Sequence, residues 1–435
     1  MKKNGGLSEQ AGRVMNEMVI IEGANRVFGE IELSGAKNAA LPMLVAACFC
    51  TDTVTLKNMP VELNDVKVMI SILKEIGFSI EITDHDITIN QPIKADVKSI
   101  IPESAGRIRY SLLLLPLLLY RTGSVIDPIP GGCKLGDRKY DIHLESLNRL
   151  GAIMIEEDTH ISGTLHNGFK GNELLFHIAT TSGSESAILA AVLAKGKTII
   201  KNANTRPEVI DMINFLNVMG ADITYKTRYI EINGVKSLKG GEYTIVKDSH
   251  EAVSYMILAS MMRSEIVIKD FNLDFIQEDV NLLRQIGVDI FEWGGNVYVS
   301  ARGKQLEPFS MATSPYPGIN SDMQPLLAAL ACTIEGESIV TDTRFTERFQ
   351  YVEEFKKFGL DIVNYENCAV IHGSRAVNGC NVFATDLRAG AALTFLGCWA
   401  DGTTTIDNYY QTKRGYVGIV EKMKSLGVTI DEIEP

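Results

Sequence analysis

Six times along its length the chain closes a helical run with a glycine and a short strand: EIGFSIEI, RLGAIMIE, VMGADITY, QIGVDIFE, KFGLDIVN and SLGVTIDE. The glycines are Gly77, Gly151, Gly220, Gly287, Gly359 and Gly427, spaced 67 to 74 residues apart. A second strand precedes each of them, as TVTLKN (53–58), SVIDPI (124–129), KTIIKN (197–202), EIVIKD (265–270), ESIVTD (337–342) and TTTIDN (403–408). A fixed period of this kind marks a repeated supersecondary module. Each module reads as a helix rich in Ala and Leu, a β-branched strand, an amphipathic helix, a glycine suited to a left-handed helix cap, and a further strand. The first helix is apolar nearly all round, as in SDMQPLLAALACTI and RAGAALTFLGCWA, and is expected to be buried on every side. A module that cannot bury its own apolar face must pack on others. A linear solenoid and a closed, grouped arrangement both meet that need.

Composition removes several classes of function. With 46% apolar and 22% charged residues the chain is an ordinary folding sequence, neither disordered nor fibrous. Against 54 acidic residues stand 42 Lys and Arg, a net charge of -12, which argues against broad binding to nucleic acid or an anionic membrane. An anionic ligand therefore needs a local basic cluster. The longest apolar stretch, Tyr110 to Tyr120, is far below the roughly 20 residues of a membrane span, so none is expected. Residues 1–17 carry two lysines and no apolar run after them, and read as a polar extension rather than a signal peptide. The seven cysteines form no C-x-x-C pair, which fits a reducing cytoplasm and no metal site. Cys48, Cys50, Cys332 and Cys398 sit in small apolar runs, as compact core residues do.

The modules are unequal. From mid-strand to closing glycine is 22 residues in the first (Thr55 to Gly77) and 21 in the third (Ile199 to Gly220), but 26 in the second (Val125 to Gly151). The excess falls in PIPGGCKLGDRKYDIH (128–143), a Gly-rich connection holding Cys133, Lys134, Asp137, Arg138 and Lys139. Long connections on regular scaffolds commonly carry function. Polar residues also recur where the apolar helices begin: Lys37 and Asn38, Arg109, Ser184 and Glu185, Glu251, Asp322, and Arg388. Six such starts could face one cleft, although Glu185 and Glu251 read better as ordinary first-turn residues. Arg109, Arg138, Arg348, Arg388 and Arg414 all fall at helix starts or in the turns after strands. A guanidinium cluster there suits a small substrate bearing phosphate and carboxylate.

Six separated motifs carry a family resemblance: SGAKNAALP (34–42), PGGC (130–133), G-x-R-x-x-D-x-H (136–143), SPYPG-x-x-x-DMQ (314–324), TDLR (385–388) and RGY (414–416). From about Met18 to the C-terminus, in order and without large gaps, the chain resembles the UDP-N-acetylglucosamine 1-carboxyvinyltransferases, which belong with the enolpyruvylshikimate-phosphate synthases among the enolpyruvyl transferases. The resemblance implies an α/β fold of two similar domains, each of three repeated units packed as a helix-filled, sheet-walled inverse αβ barrel, with the active site in the cleft between them. It implies a discontinuous domain of 18–36 plus 249–435 and a second domain of 37–248. It also implies transfer of the enolpyruvyl group of phosphoenolpyruvate to the 3'-hydroxyl of a UDP-sugar through a tetrahedral intermediate, without metal or cofactor, as the first committed step of peptidoglycan synthesis.

Carried over position by position, Lys37, Arg138 and Arg414 would hold the phosphate of phosphoenolpyruvate, and Arg348 and Arg388 its carboxylate. Cys133 would protonate the methylene carbon, at the position the family presents to fosfomycin. Asp322 would take the proton of the acceptor hydroxyl. Asn38, Arg109, Arg138 and Asp141 would contact the acceptor, Asp141 at its uracil. Departures from the family pattern concern the acceptor: Lys139-Tyr140 in place of Pro-Val, Arg206 in place of an acidic residue, Ser182 to Ser186 in place of Gly-Ala-Thr-Glu-Asn, Ser249 in place of Arg, and Val417 in place of Glu. They open an alternative acceptor, another uridine nucleotide hydroxyl such as that of UMP. A non-enzymatic clamp around DNA built from repeated α/β units is disfavoured, because it needs basic inner helices and these are rich in Ala and Leu.

Overall fold

The computed structural model describes residues 17–23, 26–91, 97–129, 140–374 and 376–433. Cys133, Lys134, Asp137, Arg138 and Lys139, like most of the N-terminal extension, lie outside the described residues.

The third unit shows the plan. The strand Glu173–Leu175 leads to the helix Thr181–Ala191, the strand Lys197–Lys201, the helix Pro207–Val218 and a hairpin of Asp222–Lys226 and Tyr229–Asn233. The four strands form one sheet in the order 222–226, 229–233, 197–201, 173–175, and only the last pair is parallel. Lys197–Lys201 alternates exposed and buried residues, so one sheet face is apolar and must be covered. The covering helix is buried almost throughout, as are all 13 residues of Ser249–Met261 in the fourth unit. Helices therefore fill the centre and sheets wall it. Five sheets have this four-stranded form, and the sixth has three strands, with Ile100 bridging Ile126 in place of the edge strand.

All six closing glycines have positive φ, from 86° at Gly359 to 120° at Gly77, as a left-handed helix cap requires. The second strand of each hairpin is absent from the sequence reading, which ends each unit one strand early. Two-residue loops at Asp84-His85, Thr227-Arg228 and Gly294-Gly295 make those turns, with positive φ at Asp84, Arg228 and both glycines.

Two apolar cores result. One is built from residues between Ala40 and Ile245, the other from Val19 to Leu33 together with Ala252 to Ile430. Strand exchange explains this division. Phe28–Glu32 lies parallel to Glu265–Lys269, while Gly241–Thr244 lies parallel to Val54–Lys57. Met18–Glu22 completes the last sheet between Thr403–Asp407 and Ile430–Ile433. The two chain segments that pass between the cores pair with each other. Gly35 bridges Lys247, Ala36 N donates to Val246 O at 2.9 Å, and Asp248 N donates to Ser34 O at 2.9 Å. A side chain at Gly35 would stand 1.8 Å from Asn58 O, so this crossing accepts only glycine.

Candidate active site

Lys37 and Asn38 open the helix Lys37–Ala47 directly after the paired crossing. The Lys37 N–H lies 3.4 Å from Asp248 Oδ2, and Asp248 caps the helix Ser249–Met261 by accepting from His250 N at 2.8 Å and Glu251 N at 3.1 Å. One carboxylate thus aligns two helix N-termini, whose partial positive charge favours an anion nearby. The Lys37 ammonium lies 3.4 Å from Asp65 Oδ2, and Arg414 Nε and Nη2 each lie 3.4 Å from Asp65 Oδ1. Asp65, in the first turn of Asn64–Glu75, holds these two cations side by side across the cleft.

A second cluster surrounds Asp322, in the turn Ser321–Met323 capped by Asn320. Arg348 donates from Nη2 to Asp322 Oδ1 at 2.8 Å and from Nη1 to Ser321 Oγ at 2.9 Å, and Ser321 donates to Asp342. Arg388 begins the helix Leu387–Trp399, where Asp386 caps its N–H, and its Nη2 lies 3.4 Å from Asp322 Oδ2. The Arg388 guanidinium lies 5.1 Å from the centre of the Tyr416 ring. Burial alone would raise the Asp322 carboxyl, but Arg348, Arg388, His250 and Arg206 outweigh it and hold it well below the usual range. Arg348 Nε is buried with no hydrogen-bond acceptor among the described residues, and a donor there suits a carboxylate entering from the cleft that Arg348 lines.

Between the clusters stands Arg206, bidentate to Glu208 at 2.7 and 3.0 Å, with Nη2 2.9 Å from His250 Nε2. Lys37, Asn38, Arg109, Asp322, Arg348 and Arg414 line one cleft of about 1060 Å³, together with Ser182 and Arg206. Arg388 sits just behind its wall. Asp141 lines an adjoining recess with His143 and His177, sharing Arg109, Ser182, Arg344 and Phe345 with the cleft. Tyr140 faces elsewhere and donates to Glu156 Oε1 at 2.7 Å.

Glu185 and Glu251 are not ordinary first-turn residues. Glu251 is buried, accepts from Ser34 N at 2.8 Å and pairs with Lys422, which fastens the crossing segment. Glu185 lies one turn inside its helix, fully buried, with neither oxygen partnered among the described residues, and burial pushes its carboxyl up to about 8. The sequence reading also missed Asp65, Glu208, His250 and Asn320. Asp65 and Glu208 carried a usable signal, since each is an acidic residue in the first turn of a unit's second helix.

Residues 21–423 match the EPSP synthase (3-phosphoshikimate 1-carboxyvinyltransferase) family. The chain is 37% identical over 420 residues to UDP-N-acetylglucosamine 1-carboxyvinyltransferase 1 of Clostridium acetobutylicum, covering 95% of this chain and 99% of that one. It is 38% identical over 418 residues to the Legionella pneumophila protein of the same name, covering 95% and 82%. Among solved structures, the enolpyruvyl transferase NikO from Streptomyces tendae superposes with a TM-score of 0.85 at 23% identity, covering 97% of this chain and 100% of that one. EPSP synthase from Acinetobacter baumannii gives 0.73 at 18% identity, covering 96% and 100%. The fold is thus the two-domain α/β architecture of the enolpyruvyl transferases, and the chain belongs to the EPSP synthase family, where it stands with the UDP-N-acetylglucosamine 1-carboxyvinyltransferases.

Proposed function

We propose that the protein transfers the enolpyruvyl group of phosphoenolpyruvate to the 3'-hydroxyl of UDP-N-acetylglucosamine with release of phosphate, in the cytoplasm, as the entry step of peptidoglycan synthesis. The observation that carries this reading is the gathering of Lys37, Arg414 and Arg348 around one cleft, where Asp65 pairs Lys37 with Arg414 and Asp322 pairs Arg348 with Arg388 behind the wall. Phosphoenolpyruvate carries its phosphate ester and its carboxylate on the same carbon, and two fixed basic clusters hold such a molecule in a single orientation. Lys37 and Arg414, with Arg138, take the phosphate, and Arg348 and Arg388 take the carboxylate. Cys133 protonates the methylene carbon, so positive charge develops at the central carbon. The acceptor oxygen adds there as Asp322 removes its proton, and loss of a methyl proton with phosphate restores the double bond. Asn38, Arg109 and Asp141 bind the acceptor.

Residues 18–36 with 249–435 form one domain in this reading and 37–248 the other, a division supported by the two cores and the exchanged strands. Among the described residues no helix is long and apolar enough to cross a membrane.

A second acceptor is favoured by one observation. Arg206, where the family pattern has an acid, projects into the cleft beside Asp322. A cation there suits another uridine nucleotide whose phosphate lies nearer the reacting hydroxyl. Phosphate release from phosphoenolpyruvate, measured with UDP-N-acetylglucosamine and with UMP, decides between them. Turnover with the sugar nucleotide is expected, and turnover with UMP alone would replace the first reading by the second.

A further inference from the structure

The residues on either side of Gly415 serve opposite halves of the molecule. Arg414 follows the short helix Tyr410–Lys413, and its Nη2 reaches Asp65 Oδ1, on the helix Asn64–Glu75, at 3.4 Å. Tyr416 goes the other way: it is 3% exposed and belongs to the core built from Val19 to Leu33 and Ala252 to Ile430. The next residue, Val417, packs against the core of the other half, where Asn64 Nδ2 also donates to Tyr410 OH at 2.9 Å. Because valine stands where the family pattern has a glutamate, this grip on the second core is apolar. The turn lies directly on the start of the helix Leu387–Trp399, since a side chain at Gly415 would stand 2.5 Å from Leu387 Cδ1.

The Tyr416 hydroxyl has one possible direction. Ser254 Oγ lies 2.6 Å from His250 O and 2.7 Å from the Tyr416 hydroxyl oxygen. A carbonyl only accepts, so the single Ser254 hydrogen goes to His250 O, and the Tyr416 O–H donates to Ser254 Oγ. Ser254 is wholly buried in the helix Ser249–Met261. The phenol is therefore tied at its hydroxyl to that helix and at its backbone to the turn, and its ring cannot swing away.

Against this ring lies the Arg388 guanidinium, 2% exposed, with Cζ 5.1 Å from the ring centre. A cation and an aromatic ring attract most strongly where water is excluded. Among the described residues the ion-pair partner of Arg388 is Asp322, whose Oδ2 lies 3.4 Å from Nη2. Asp322 Oδ1 is held separately by Arg348 at 2.8 Å. Two guanidiniums on two oxygens fix the plane of the carboxylate. Without the second, the group is free to turn about its Cβ–Cγ bond and its lone pairs lose their aim.

We propose that Tyr416 is a positioning residue of the transfer, holding the Arg388 guanidinium against Asp322 in register with Arg414 at the phosphate end of the cleft. The inference rests on the reading of Asp322 as the base for the acceptor hydroxyl. It assigns Tyr416 no contact with either substrate, and its effect falls on the rate of the chemical step rather than on binding.

Two measurements test it. In phosphate-release assays Tyr416→Leu is expected to lower kcat about 10- to 100-fold with KM for the acceptor within about threefold, whereas Tyr416→Phe, which keeps the ring, retains most of the rate. Because the loss passes through Arg388, it should shrink to less than about twofold when Tyr416→Leu is added to Arg388→Lys. Losses that simply multiply in the double variant overturn the proposal, as does a Tyr416→Leu enzyme with wild-type kcat. The second measurement needs no variant to turn over: ¹⁵N-arginine spectra of the wild type, with the Arg388 signals assigned by their loss in Arg388→Lys, are expected to show two resolved Nη signals, the mark of a guanidinium held from rotating. A single averaged Nη signal overturns the proposal even in an active enzyme. A wild type that releases no phosphate with either acceptor overturns the transfer reading instead, and leaves the hold on Arg388 to be judged by its spectrum.

Discussion

Asp65 shows how an acidic residue in the cleft wall shapes a basic site. By accepting from both Lys37 and Arg414 it keeps two like charges adjacent, which their repulsion would otherwise separate. Lys37→Met is expected to lower kcat for phosphate release by about 10²- to 10³-fold, as removal of one fixed charge at a transition state does. Asp65→Asn should weaken phosphoenolpyruvate binding with a smaller loss in kcat, readable as a rise in KM. A separate expectation concerns Asp127, fully buried on the strand Ser124–Pro128 with neither oxygen partnered among the described residues, its carboxyl pushed up by burial to about 8. In the unfolded chain an aspartate titrates near about 3.9. The raised folded value means that stability is complete below about pH 4, declines as folding must take up a proton, and is lost progressively until about pH 8. Asp127→Asn should therefore match the wild type in thermal unfolding at about pH 4 and exceed it at pH 8 by on the order of 1–3 kcal/mol. Lys37, Arg348, Arg388 and Arg414 stood out in the sequence because each falls at one of two recurring places, Lys37 and Arg388 at the start of a unit's first helix and Arg348 and Arg414 in the turn after its strand. His250 and Asn320 were not, since their roles come from contacts spanning 44 and 70 residues, respectively to Arg206 and from Asn320 to His250.

The repeat has its own local device. Asn58, Asn202 and Asn408 each follow a unit's central strand in the left-handed conformation, with φ of 57° to 60°. Their side-chain amides donate to Ile245 O, Phe176 O and Ala384 O, the carbonyls just past the parallel edge strands. An asparagine tolerates that backbone and satisfies an otherwise lone carbonyl. Asn408→Val is expected to destabilise by about 2–3 kcal/mol in urea unfolding, since a β-branched residue is strained there and the bond is lost, while Asn408→Gly loses only about 1 kcal/mol. Helices and central strands could be read from periodicity, because burial imposes it on sequence. The closing hairpin strands at Asp84-His85 and Thr227-Arg228 lack a recognisable Asn-Gly or Asp-Gly turn signal, whereas Gly294-Gly295 carried one that the reading passed over.

At the scale of the whole molecule, the cleft proposed to bind the substrates is lined from two separately cored halves, joined by chain segments that pair at Gly35 and Lys247. A cleft that must exclude water while a phosphate-bearing intermediate persists is expected to close on its ligands. Small-angle scattering with phosphoenolpyruvate and UDP-N-acetylglucosamine should show a smaller radius of gyration than the unliganded protein, and an unchanged profile would exclude closure. Sequence periodicity established six units and left open how they group. The grouping depends on which unit each edge strand joins, and a strand such as Phe28–Glu32, with Ile31 its single buried residue, carries little pattern to say which sheet it joins. The strand Met18–Glu22 has a further consequence, in time rather than space. Its partner at Thr403 lies 381 residues later, so at ribosomal speeds of about 5–20 residues per second the first strand made waits roughly 20 to 80 s for its sheet. Residues 37–248 can complete their core in that interval, which makes the amino-terminal strand the last piece of this protein to find its place.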